Sequence, residues 1–114
     1  MSDKYILGGD DGRTPIPVED LLEWARWFER NDRRVAEDFI GPYRVSTVFL
    51  GLNHNFAGLF GGGDPTPIVF ETMVFAAAGQ HAPHNYDMER CSTWDEAVAR
   101  HQQVVSRLKQ ELSG

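Results

Sequence analysis

The chain has 114 residues, 41% of them apolar and 25% charged, a balance that fits one folded domain and excludes a wholly disordered chain. Its 17 acidic residues against 11 lysines and arginines give a formal charge of −6, which excludes a general binder of the phosphate backbone of long nucleic acids. A single cysteine, Cys91, excludes a disulfide-stapled fold, and the polar start Met1-Ser2-Asp3-Lys4 carries no secretory pattern. The apolar stretches Val45–Leu52 and Ile68–Ala78 are too short for a membrane span, so the expected setting is the cytoplasm.

Lys4–Leu7 reads as a short strand, followed by turn material at Gly8-Gly9-Asp10-Asp11-Gly12. The spacing of Val18, Leu21, Leu22, Ala25 and Phe28 predicts a helix over Pro17–Asn31, with Pro17 in its first turn. Trp24 and Trp27 widen its apolar stripe, and Arg30, Arg33 and Arg34 gather at its negative end. Arg34–Ile40 and Tyr43–Leu52 read as strands joined by a tight Gly41-Pro42 turn. The glycines and prolines of Asn53–Pro67 predict a loop. Ile68–Phe75 is the clearest strand, Ala76–Tyr86 a second loop, and Asp87–Cys91 a short edge strand. Thr93 and Glu96 form a capping box that starts a C-terminal helix, whose stripe runs through Trp94, Ala97, Val98, His101, Val104, Val105, Leu108 and Leu112. The expected architecture is α+β: an antiparallel sheet of about four strands with two helices packed on one face. Large apolar groups alternate onto both faces of the best strands, so the second face is expected to be buried in a homo-oligomer.

Few residues suggest chemistry. His54, His81 and His84 match no metal-ligand spacing, so no metal and no cofactor are expected. Cys91 has no evident base, and the Gly61-Gly62-Gly63 run lacks the lysine and hydroxyl residue of a phosphate loop. The arginines Arg33, Arg34, Arg44 and Arg90 fall at the ends of elements. Spacing by itself favours surface pairs with Glu37, Asp38 and Glu89 and aromatics in the core. The alternative is a phosphate-bearing aromatic ligand, forked by guanidinium groups and stacked on Phe56, Phe75, Tyr86 or Trp94, with Asn53, Asn55 or Asn85 reading its edge.

The blocks Arg33-Arg34-Val35-Ala36, Val45–His54, Phe70–Phe75 and Glu89–Trp94 resemble a small protein family encoded by phages and prophages. The order of strands and helices resembles the phage anti-defence sponges that sequester cyclic ADP-ribose signals of the Thoeris immune system. Asn53 stands where that pattern has aspartate, Cys91 where it has tyrosine, and the Gly58–Pro67 loop is long for it. The resemblance implies an oligomer without catalysis, working in the cytoplasm of an infected bacterium and holding a cyclic nucleotide. The ligand contacts expected from the residues are Arg33, Arg34 and Arg90 for phosphates, Phe56 and Phe75 for the base, and Asn53 and His54 for polar contacts. A contrasting expectation, from the acidic charge and the apolar second face, is a protein inhibitor of a host nuclease or CRISPR complex. A small metal-dependent hydrolase, resting on the histidines alone, is the third.

Overall fold

The structure is a computed structural model that describes residues 3–55, 61, 63–76 and 89–113. Within these residues the chain forms β1 (Lys4–Gly8), β2 (Thr14–Val18), α1 (Leu21–Arg30), β3 (Arg34–Ile40), β4 (Tyr43–Phe49), β5 (Phe70–Ala76), β6 (Glu89–Cys91) and α2 (Trp94–Ser113). The fold is α+β, with a two-stranded hairpin and a four-stranded antiparallel sheet in the order β3-β4-β5-β6.

The expected helix start at Pro17 is corrected. Thr14–Val18 is extended and pairs antiparallel with β1, Tyr5 opposite Pro17 and Leu7 opposite Pro15. A proline is tolerated in a two-stranded ribbon where its nitrogen is not needed by the ladder. The helix begins after Asp20, whose carboxylate accepts from the Leu22 amide at 2.9 Å and supplies the cap that Pro17 cannot. The packed side of α1 also differs from the expected stripe. Leu21 and Leu22 are 62% and 65% exposed, while Trp24, Ala25, Trp27 and Phe28 are half-buried. Three large rings on one side outweigh two leucines, because each ring removes more apolar area from water.

The hairpin joins the sheet at Gly51, just past β4. The Gly51 carbonyl accepts from the Tyr5 amide at 2.8 Å and from Trp24 Nε1 at 3.1 Å, so one carbonyl ties β1, α1 and β4 together. Gly51 has φ 76°, and a Cβ there would run into the Phe28 ring. Only glycine fits both conditions.

The helix α2 covers one sheet face and packs on all four of its strands, whereas α1 packs on the hairpin. The expectation of two helices on that face is therefore corrected: α2 covers it, and α1 is drawn onto the hairpin by its ring side chains. From α1, Trp27 reaches the core, meeting Phe49 edge-on at 5.6 Å between centroids. The core has two parts. Tyr5, Phe49, Val69, Phe70, Cys91 and Ala97 form one, and Ile40, Val45, Val104, Val105 and Leu108 form the other. The capping box is present: the Glu96 amide donates to Thr93 Oγ1 and the Thr93 amide to Glu96 Oε1, each at 3.1 Å.

Candidate functional site

Strand alternation divides the sheet residues cleanly. Thr47 lies opposite Thr72, Val45 opposite Val74 and Phe49 opposite Phe70, and these side chains face α2. The other face carries the remaining partners of the ladders, which form two transverse rows with a mixed row between. One is Arg34, Val48, Glu71 and Arg90; the other is Phe39, Arg44 and Phe75. Between them Glu37 lies opposite Ser46, and Ser46 opposite Met73.

That second face is more polar than the sequence suggested. Glu37 receives Arg44 at 3.0 Å and Arg34 at 3.6 Å, and Arg90 Nε meets the buried Glu71 carboxylate at 3.1 Å. Arginine stems cover apolar neighbours while their heads stay paired, which is how charged residues occupy an otherwise hydrophobic surface. The surface-pair alternative therefore describes Arg34, Arg44 and Arg90. Asp38 and Glu89 are also paired, with His101 and Arg100 respectively.

Arg33 is different. Its guanidinium lies over the Phe28 ring at 4.5 Å, and among the described residues it makes no ion pair. With Phe28, Asn31, Asp32, Arg34 and Val48 it lines a groove of about 330 Å³ between the end of α1 and the start of β3. The turn is built locally. Asn31 Nδ2 donates to the Trp27 carbonyl at 2.9 Å and ends the helix, and Asp32 Oδ1 accepts from the Arg34 amide at 2.9 Å and starts the strand. A groove of this size lies at the lower end of the range for small-molecule sites.

The other expected contacts scatter. Phe75 sits at the far end of the sheet, its ring 4.4 Å from the Arg44 guanidinium, in a second groove with Phe39, Pro42 and Tyr43. Arg90 is on the opposite edge strand from Arg34, three strand spacings or about 14 Å away. The Asn53 side-chain oxygen accepts from the Asn55 and Ile68 amides at 2.8 and 3.1 Å, and the residue is buried. It pins the loop to the sheet. His54 is half-buried beside it, with its amide bonded to the Ile68 carbonyl. Asn55 Nδ2 bridges the carbonyls of Asp64 and Thr66, closing the same loop. Asp64 in turn accepts from the Thr66 amide and hydroxyl, which hold its carboxyl below its usual range. Phe56, His81, His84, Asn85 and Tyr86 lie outside the described residues. The structure thus groups Arg33 and Arg34 and adds Phe28, which the sequence pattern had assigned to the core face of α1.

A second constellation lies under α2. His101 Nε2 is 2.7 Å from Asp38 Oδ2, His101 Nδ1 is 2.8 Å from Thr47 Oγ1, and Thr47 Oγ1 is 2.7 Å from Thr72 Oγ1. A carboxylate oxygen only accepts, so Nε2 donates to Asp38; in the neutral ring Nδ1 then accepts from Thr47, and Thr47 accepts from Thr72. Hydroxyl, imidazole and carboxylate stand in the order used for acyl transfer. Here the hydroxyl is fully buried under α2, so no substrate carbonyl reaches it. The chain of bonds instead fastens the helix to β3, β4 and β5. His101 was legible as a member of the apolar stripe, but its partners were not.

Cys91 is buried, with its thiol pushed up to about 11 by burial and then by the charge of Glu96, so it is a poor nucleophile. Among the described residues no cluster of three metal-ligating side chains occurs and no helix is long and apolar enough to cross a membrane. Comparison of the chain with protein-family models, with curated proteins and with solved structures finds no match.

Proposed function

We propose that this chain is a phage anti-defence protein that binds and sequesters a cyclic nucleotide signal, of the cyclic ADP-ribose type or a cyclic oligonucleotide, without cleaving it. The observation that carries the reading is the groove at the end of α1. Arg33 is stacked on Phe28 and unpaired with any described carboxylate, and Arg34 stands next to it. A guanidinium lying over a ring can stack against a nucleobase and donate to a phosphate. A cation spared from an ion pair costs less to recruit, since no existing bond has to break. Arg34 adds a second charge once it leaves Glu37, an exposed pair that holds it weakly. In this reading the protein works in the cytoplasm of the infected host as a homo-oligomer, and turnover has no place in it.

The test is a thermal-shift and calorimetric titration with cyclic ADP-ribose, cyclic di-AMP and cyclic tri-adenylate, with AMP as the linear control. A ligand at 100 times its dissociation constant stabilises the fold by about 2.7 kcal/mol. That raises the melting temperature by about 10 °C. Arg33→Gln should leave the unliganded melting temperature within a degree or two and remove most of that shift. The bound compound, released by denaturation, should be recovered intact. No shift with any of the cyclic compounds removes the reading, and recovery of a cleaved product makes the protein an enzyme.

A second reading, an acidic inhibitor of a host nuclease or CRISPR complex, draws on the net charge of −6 and on Phe39, 72% exposed on the uncovered face. A stable complex with such an enzyme and silence toward every nucleotide would favour it.

A further inference from the structure

β3 is an edge strand whose outer side no described element covers. Exposed edges are templates for pairing with another chain, and proteins usually blunt them with like charges or a bulge. β3 has a bulge between Arg34 and Ala36. Its charges, however, are sorted: Arg33-Arg34 at one end, Val35-Ala36 in the middle, Glu37-Asp38 at the other. Two positives, two neutrals and two negatives read as their own complement when the strand runs antiparallel to a copy of itself.

We propose that two copies of this chain pair through β3, antiparallel, about a twofold axis between Val35 and Ala36. In this register Arg34 of each copy faces Glu37 of the other, and Arg33 faces Asp38. The side-chain faces agree. Arg34 and Glu37 both lie on the uncovered side of the sheet, opposite Val48 and Ser46, so this pair carries the charge contact; Asp38 lies on the side of α2, bonded to His101, and meets Arg33 only in backbone register. The backbone agrees too. Ile40 and Tyr43 flank a two-residue turn, so they exchange hydrogen bonds, and alternation then turns the backbone groups of Phe39 and Glu37 outward. The bulge carries this alternation to Arg34, because the Arg33 carbonyl is the one that accepts from the Phe49 amide inside the sheet. The Arg34 amide is held by Asp32, so the bonds across the axis run from the Glu37 amide to the Arg34 carbonyl, once in each direction.

Competing registers are worse. Centring the axis on Glu37 or on Asp38 places like carboxylates opposite each other, which destabilises the pair. The proposed register also sets Phe39, the most exposed large apolar side chain among the described residues, beside Asp32 of the second copy. A twofold axis makes every such contact occur twice. This pairing goes beyond the ligand reading above and stands without it: it moves the contact between copies from the sheet face to the sheet edge.

The test is sedimentation equilibrium of the ligand-free chain at low salt, for the wild type, Arg34→Glu, Glu37→Arg and the double exchange R34E/E37R. The wild type should be a reversible dimer that weakens as salt is added. Each single variant sets like charges against each other twice and should weaken the dimer about tenfold or more. An equimolar mixture of the two single variants should restore association, because their charges complement, and the double exchange should restore a homodimer. Far-UV circular dichroism and the melting temperature of each variant show that the fold is kept. A monomeric wild type overturns the proposal. So does a dimer that ignores both single changes, which would use another surface, and so does failure of both the mixture and the double exchange to recover association. Loss of nucleotide binding with intact dimers would instead remove the functional reading alone.

Discussion

Thr47→Val is the sharpest test of how this fold is held together. The change keeps the shape of a fully buried side chain and removes one oxygen. That oxygen serves two neighbours, His101 Nδ1 at 2.8 Å and Thr72 Oγ1 at 2.7 Å. Both partners are themselves buried, at 2% and 3% exposure, so water cannot replace the lost bonds. Each unsatisfied polar group costs about 1–3 kcal/mol, which with two of them puts the variant about 2–6 kcal/mol below the wild type. With a urea slope of about 1.5 kcal/mol/M, the unfolding midpoint should fall by about 1.3–4 M with the slope unchanged. The triple variant T47V/T72V/H101L removes every orphan at once. Asp38, half-exposed at the rim, is left to water. The triple variant should therefore recover much of the loss, so the separate effects should fail to add by about 1 kcal/mol or more. A loss under about 0.5 kcal/mol for Thr47→Val would refute the reasoning, since the hydroxyl would then not be bridging the helix to the sheet.

Gly51→Ala should cost about 2–5 kcal/mol in chemical denaturation, combining a positive φ of 76° with a clash against Phe28. Tryptophan emission should also change, because Trp24 loses its bond to the Gly51 carbonyl. Thr93→Ala removes the hydroxyl that accepts from the Glu96 amide, leaves the backbone amide of residue 93 to Glu96, and should cost about 1 kcal/mol, seen as a fall of about 4 °C in melting temperature. The Cys91 thiol, raised from its ordinary 9.0 to about 11, should resist Ellman's reagent in the native protein at pH 8 and react at once in denaturant. The unfolded thiol ionises first, so this group's contribution is complete below pH 9 and is lost as pH climbs toward 11. Burial raises Tyr5 in the same sense, and Cys91→Ser should flatten part of the alkaline decline in stability.

Local chemistry made much of the fold legible. The Gly41-Pro42 turn, the alternation of β4 and β5, and the Thr93–Glu96 box each depend on neighbours within a few residues, and each is where the sequence placed it. The α+β class follows from those periods. The start of α1 was misjudged because a proline fits both a first helical turn and a ribbon. The choice fell to β1, whose Tyr5 pairs with Pro17 across the intervening turn. The same applies to the side of α1 that is packed: three rings and two leucines were both apolar stripes until Gly51 and Phe49 offered the rings a seat.

What the sequence by itself determined is the mixed class, the four strands of the main sheet, the C-terminal helix and the arginines at element ends, all consequences of local propensity and spacing. Only the tertiary structure decided which arginine is spared from pairing. Arg34, Arg44 and Arg90 find glutamates one strand away or across a bulge, through ladder registers that no local pattern encodes. Arg33 is turned by the bend after α1 onto Phe28 instead. His101 found Asp38 and Thr47 across 63 and 54 residues of chain for the same reason. Partners at that separation are fixed by how a helix lies across a sheet, a matter of packing the whole core rather than of any segment within it.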